Sequence, residues 1–370
     1  MHNTDNKKHS RRPSGLRAAA PAVAVLCCTA LSGAVLASSF GMVTDNASDE
    51  TRLFDTQTGE LVASLRGSAS TMTGDCALSE DESTGFSSQA NQKIAVFRLS
   101  RLAAGEEVGV SSIDISNAGL DLTLSPNGRL LVSAGAGNTN EPLSIIDTQA
   151  GREIATADPF LDHTSVEFCD DGTLLLTTTF GKTFAMPHDN ALYDAWVGAG
   201  GEFTLKGDRL SSDAQPNNVS CAPGSESGVL LDRDGGLTSF TLPGLHKAEQ
   251  VKLQGAGAIA AVFSKGGDRL YVRTTETVEA FDFNPLIGTM RADWVRKAPY
   301  SSEYFGIEQI AIEPDSGRLY VDGGHDLLVL DTRTGEPTAQ ISAGDSTGIC
   351  FAHRQHASLG KVALNTTPAE

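Results

Sequence analysis

Phe54-Asp55-Thr56-Gln57-Thr58-Gly59-Glu60 recurs as Ile146-Asp147-Thr148-Gln149-Ala150-Gly151-Arg152 and again as Leu330-Asp331-Thr332-Arg333-Thr334-Gly335-Glu336. The three aspartates stand 92 and 184 positions apart, two and four times 46, so the chain repeats every 46 residues. Each copy joins two apolar runs and carries the chemistry of a tight turn. The Asp carboxylate can accept from the turn's own N–H groups, and the Gly closes the turn at positive φ. Weaker copies fall where the period requires them: FRLSRLAAGEE from Phe97, MPHDNALYDAW from Met186, SFTLPGLHKAE from Ser239 and FDFNPLIGTM from Phe281. Each has the layout of a β-hairpin, which makes seven hairpins in all.

A second element precedes most hairpins, a turn followed by a strand: LSPNGRLLVS from Leu124, CDDGTLLLTT from Cys169, FSKGGDRLYVR from Phe263 and EPDSGRLYVD from Glu313. The two elements together give four short antiparallel strands per unit and leave no room for helices. Four strands in a period of this size make the blade of a β-propeller. The repeats open on a lone hairpin, Thr51 to Leu65, and close on lone inner-strand material, TGICFAHRQHASLGKVAL from Thr347. Joining these halves would complete a seventh blade and remove the free sheet edges at the seam. The expected fold is therefore all-β, a seven-bladed propeller over 51–364, with a leader at 1–37, a linker at 38–50 and a tail at 365–370.

The units LSPNGRLLVS and LSIIDTQAGREIAT resemble the YVTN-type repeat of the YncE-like extracytoplasmic propellers. The resemblance spans nearly all of the chain after the leader and is clearest over 120–156 and 307–342. It is closer than a WD40-like reading, because neither Trp196 nor Trp294 is followed by Asp. What it implies is architecture. It assigns no catalytic residue, because a fold of this kind carries binding proteins and enzymes alike.

Lys7, Lys8, Arg11, Arg12 and Arg17 precede a stretch from Ala18 to Phe40 that is apolar apart from Thr29 and a few Ser. That is the pattern of an export signal peptide, with Val35-Leu36-Ala37 as a small-residue cleavage site, or of an uncleaved membrane anchor of bilayer length. Either reading makes the domain extracytoplasmic, secreted or anchored. The whole chain carries a net charge of −18, and removing residues 1–37 leaves 23 Lys and Arg against 45 Asp and Glu, a net of −22. So acidic a domain is a poor ligand for nucleic acid or an anionic membrane surface. Four cysteines remain, Cys76, Cys169, Cys221 and Cys350. Mapped onto the period, they fall on the inner strands of neighbouring blades, which pairs Cys76 with Cys350 across the seam and Cys169 with Cys221; four buried thiols are the alternative.

Chemistry is sparse. No Cys-x-x-Cys-His run for a c-type haem is present, and the six histidines after the leader are scattered over several blades, so no cofactor and no metal are expected. His353 and His356 are three apart in strand and turn context and face opposite ways. Asp232-Arg233-Asp234-Gly235 lacks the third Asp and distal Glu of a calcium loop and reads as a hairpin turn, as does Asp322-Gly323-Gly324. His163 beside Asp162 and Asp158 is the one acid–base candidate, at the entry to an inner strand.

Two stretches interrupt the period, Ala199 to Asn217 and Met290 to Phe305, and both read as loops joining an outer strand to the next inner strand on one face of the disc. The second concentrates Arg291, Trp294, Arg296, Tyr300 and Tyr304, the residue types that dominate binding energetics. The expectation is a monomeric, non-catalytic propeller that binds a protein, peptide or glycan of the cell envelope through these residues. A lactonase-type hydrolase using His163, and a small-molecule or metal carrier using the central channel, are the alternatives.

Overall fold

A computed structural model describes residues 40–352, apart from 46–49, 67–72, 90, 104–105, 136–140, 158–162, 179–181, 187–188, 200–201, 204–207, 212–214, 298–309 and 345. Within them the chain forms seven sheets, each with four antiparallel strands in simple order from the axis outward, and in blade 3 a two-residue strand, Glu202–Phe203, adds a fifth, parallel to the outermost one. Blade 1 is built from both ends of this region: Ser346–Phe351 is innermost, followed by Phe40–Asp45, Glu50–Asp55 and Leu61–Arg66. Blades 2 to 7 then follow in chain order, with innermost strands Thr73–Leu78, Asp121–Leu124, His163–Phe168, Pro216–Cys221, Ala258–Phe263 and Ile310–Ile312. No helix among the described residues is long and apolar enough to cross a membrane.

Strand alternation builds the ring. In blade 3, Leu130, Val132 and Ala134 face blade 4, whereas Leu131 between them faces blade 2. Every blade is apolar on both faces in this way, and the buried side chains divide into seven clusters, one at each interface between neighbouring blades. With each fully buried Val, Leu, Ile or Phe contributing about 1.5–3 kcal/mol, the interfaces and not the isolated blades carry the stability.

The turn chemistry is as the sequence requires. Asp55 Oδ1 accepts from Gln57 and Thr58 N–H at 2.8 Å each, and Asp147 and Asp331 do the same in their turns. Gly59, Gly151 and Gly335 close these turns at φ of 72°, 64° and 70°. In the third turn, the N–H of Thr334 holds the Asp331 carboxyl below its usual range.

Four expectations are corrected. Phe40–Asp45 is a strand of blade 1, although it falls within the expected linker 38–50. The ring closes with three N-terminal strands and one C-terminal strand, not with a hairpin and two last strands. Met186–Trp196 is not a hairpin; an α-helix, Asp189–Ala199, stands between the third and fourth strands of blade 4, and the fourth strand, Asp208–Ser211, lies inside the stretch read as a loop. Thr289–Lys297, likewise read as loop, is the outermost strand of blade 6.

Candidate functional site

The innermost strand of each blade would expose an unpaired edge to the axis, and in blades 3 to 6 side chains from the preceding blade cover it. Leu122 N–H donates to Asp75 Oδ2 at 3.0 Å, Val166 N–H to Asp121 Oδ2 at 2.9 Å, Val219 N–H to Ser165 Oγ at 3.4 Å and Ala261 N–H to Asn218 Oδ1 at 3.0 Å. A second tier repeats the device: Phe168 N–H donates to Thr123 Oγ1 and Cys221 N–H to Glu167 Oε1. These bonds satisfy backbone groups that no strand partner reaches.

Asp75 and Asp121 are buried carboxyls on successive inner strands. Each uses Oδ2 for its latch, and neither Oδ1 has a hydrogen-bond partner among the described residues when both acids are ionised. The pair is closed in by Ser88 Oγ on the Asp75 backbone, by Ser165 against Asp121 and by Gly348, where a Cβ would stand 2.8 Å from Asp75 Oδ1. Burial, then the charge of Asp121, push Asp75 well above the ordinary carboxylate range, and burial pushes Asp121 up to about 6. A single proton shared between the two carboxyls would remove the repulsion and serve the orphaned acceptors.

Towards the other end of the inner strands the axis opens into a cavity of about 220 Å³, lined by the inner strands of all seven blades. Its wall is mostly apolar, with Leu78, Leu124, Phe168, Phe263, Ile312 and Phe351 among the lining residues. It opens on the face where first and second strands are joined, beside Asp170, Lys265 and Pro314. Asp170 Oδ2 accepts from Gly224 N–H at 2.8 Å, and Lys265 lies 4.0 Å from Asp315. Both cystines reach this cavity. Cys76 pairs with Cys350 across the seam and Cys169 with Cys221, at Cα separations of 5.8 and 5.5 Å, as the period implies.

Of the expected binding residues, Arg291, Trp294 and Arg296 lie on the strand Thr289–Lys297. Trp294 and Arg296 project from the outermost strand of blade 6 into the groove beside blade 7. Trp294 lies 6.0 Å from the Tyr271 ring, its Nε1–H donating to Thr332 O at 3.2 Å; Arg296 donates to Thr334 O at 3.1 and 2.9 Å and pairs with Glu336. Arg291, 82% exposed, pairs with Asp282. Tyr300, Tyr304, Asp162, Asp158, His353 and His356 lie outside the described residues. His163 is the first residue of blade 4's innermost strand, with its backbone opposite Thr178. Asp232–Gly235 and Asp322–Gly324 are turns between second and third strands, as read. No group of three or more His, Cys, Asp or Glu among the described residues is arranged to hold a metal ion.

Comparison with known proteins agrees with this architecture. The family model for eukaryotic translation initiation factor eIF2A matches residues 90–196, under a third of the chain. No curated protein sequence matches. Among solved structures, a functionally unknown protein from Desulfotomaculum acetoxidans DSM 771 superposes with a TM-score of 0.71 at 16% identity, over 85% of this chain and 99% of that one. The Pseudomonas aeruginosa periplasmic gluconolactonase PpgL gives 0.66 at 17%, over 85% and 99%. A Bacteroides fragilis protein described as a candidate 6-phosphogluconolactonase gives 0.68 at 14%, over 87% and 99%. The chain shares a seven-bladed propeller fold with these proteins.

Proposed function

We propose that this protein is an extracytoplasmic binding propeller that holds an apolar group of a cell-envelope partner, a peptide or protein side chain, in its axial cavity. The observation that carries this reading is the cavity itself, whose mostly apolar wall is drawn from every blade and at whose mouth Asp170 and Lys265 are each engaged with the next blade. Such a site desolvates a small apolar anchor without asking the rim to reorganise. The two cystines, and the periplasmic location of one structural neighbour, favour an oxidising compartment. A photo-crosslinking residue at Val262, which lines the cavity, is expected to trap one partner in intact cells, whereas the same residue at the exposed Leu286 traps none. Equal labelling from both positions overturns the assignment.

A second reading, lactone hydrolysis, is favoured by the structural neighbours named as gluconolactonases. It requires turnover of glucono-1,5-lactone or a related lactone above the uncatalysed rate, lost in His163→Ala. Absence of turnover across a lactone panel removes it.

A further inference from the structure

Five of the seven grooves between neighbouring blades at the rim of the disc follow one rule, with one exception. In blades 1, 3, 5, 6 and 7 a bulge separates the third and fourth strands, and the fourth-strand residue paired just before it is Ala63, Ala155, Glu249, Trp294 and Ala339 respectively. Where this residue is large it fills the groove itself: Glu249 Oε2 accepts from Met290 N–H at 2.6 Å, and Trp294 reaches Thr332 O. Where it is alanine the next blade supplies the filling. Leu102 and Val108 of blade 2 pack with Ala63, and Leu192 and Trp196 of the helix in blade 4 pack with Ala155. Among the described residues Ala339 has neither, because blade 1 offers there only the short turn Asp55–Gly59. Ala339 is exposed, and a cleft of about 470 Å³ opens there, lined by Thr56–Gly59, Arg318, Tyr320 and Ile341 among others.

The filled groove between blades 6 and 7 is the template for the open one. Arg269 and Tyr271 of blade 6 donate to Thr332 O; Arg318 and Tyr320 of blade 7 donate to Thr56 O in the same way. Trp294 stands where Ala339 is, and Arg296 where Ile341 is. The two acceptors that Arg296 uses, Thr334 O and Glu336, correspond to Thr58 O and Glu60, which lie two residues apart in the matching turn. We propose that the groove between blades 7 and 1 is a peptide-binding site for an aromatic residue and an arginine placed two positions apart on an extended segment.

Residues two apart on a strand project to the same side, so both can enter the groove together. The aromatic ring covers Ala339 beside Tyr320, and the guanidinium takes Thr58 O and the Glu60 carboxylate, an arrangement suited to its planar fork and not to an ammonium group. The acidity of the chain favours a basic ligand. Blade 3 shows that a rim edge of this protein accepts a further strand, since Glu202–Phe203 lies parallel along Arg152–Ala157. This site is separate from the axial cavity and does not depend on it.

The test is calorimetric titration of the oxidised protein with acetyl-Ala-Trp-Val-Arg-Ala-amide. Saturable one-to-one binding in the submillimolar range is expected, weakened about tenfold or more by Ala339→Trp, which fills the groove from within. Glu60→Gln, on the exposed turn, weakens it several-fold and reduces its salt dependence, and replacing the peptide's Arg with Lys does the same. No binding at about 5 mM peptide, or binding that Ala339→Trp and Glu60→Gln both leave unchanged, overturns the proposal.

Discussion

Asp121→Asn is expected to make the folded protein more stable at neutral pH and to remove the part of its pH dependence that Asp121 contributes. In the folded state burial lifts the Asp121 pKa to about 6 from 3.8. A raised acid pKa means that the folded state holds the proton more tightly than the unfolded chain. The associated stability is fully present below the unfolded value and is lost as pH rises through the folded one. Two pKa units correspond to about 3 kcal/mol, of which roughly 2 kcal/mol disappears between pH 4.5 and 7.5. Asn keeps both roles of the side chain: its carbonyl accepts the Val166 N–H, and its amide donates to Asp75 in place of the shared proton. Urea unfolding of the oxidised protein at pH 4.5 and 7.5 should therefore show the variant gaining on the parent by about 2 kcal/mol across that interval. Parallel pH curves, or a variant less stable than the parent at pH 7.5, would refute the shared-proton account.

Two further expectations concern the seams. Trp294→Ala strips the indole from the groove beside blade 7 together with its bond to Thr332 O, and should cost about 2 kcal/mol, less than a fully buried tryptophan because Trp294 is only partly covered; an unchanged urea midpoint would contradict the seam role. Replacing Cys76 and Cys350 with Ser opens a loop with a sequence separation of 274 and should cost about 5.6 kcal/mol in the chain-entropy model, against about 4 kcal/mol for Cys169 and Cys221 with a separation of 52. Comparing the two double variants by urea unfolding tests the order, and a larger loss at Cys169–Cys221 would show that the unfolded chain's loop length is not what matters.

The ring was readable because its turns have strict chemical demands: an Asp that accepts two N–H groups and a Gly at positive φ survive where the apolar pattern is blurred. Cystine pairing followed from the same spacing. The helix Asp189–Ala199 was hidden by the period itself, which assigned a hairpin to that position, although Leu192 and Trp196 stand at helical spacing. Thr289–Lys297 escaped because an outermost strand meets water on its outer edge and carries charges where an inner strand would carry valine. Phe40–Asp45 was hidden against the end of the apolar leader, since hydrophobicity alone does not separate a buried strand from a signal segment. The Asp75–Asp121 pair left a trace that went unused: the two acids are one period apart. Spacing placed them in equivalent positions, but only the fold shows that those positions touch.

The latches between inner strands run in one direction. The side chain always belongs to the earlier blade and the covered N–H to the later one, from Asp75 to Leu122, Asp121 to Val166, Ser165 to Val219 and Asn218 to Ala261. At these four interfaces the acceptor is thus always earlier in the chain than the edge that it covers, so the ring carries a direction that its near-symmetry of shape does not show. The strand Ser346–Phe351 then closes the ring against Phe40–Asp45, which joins the last described strand to the first.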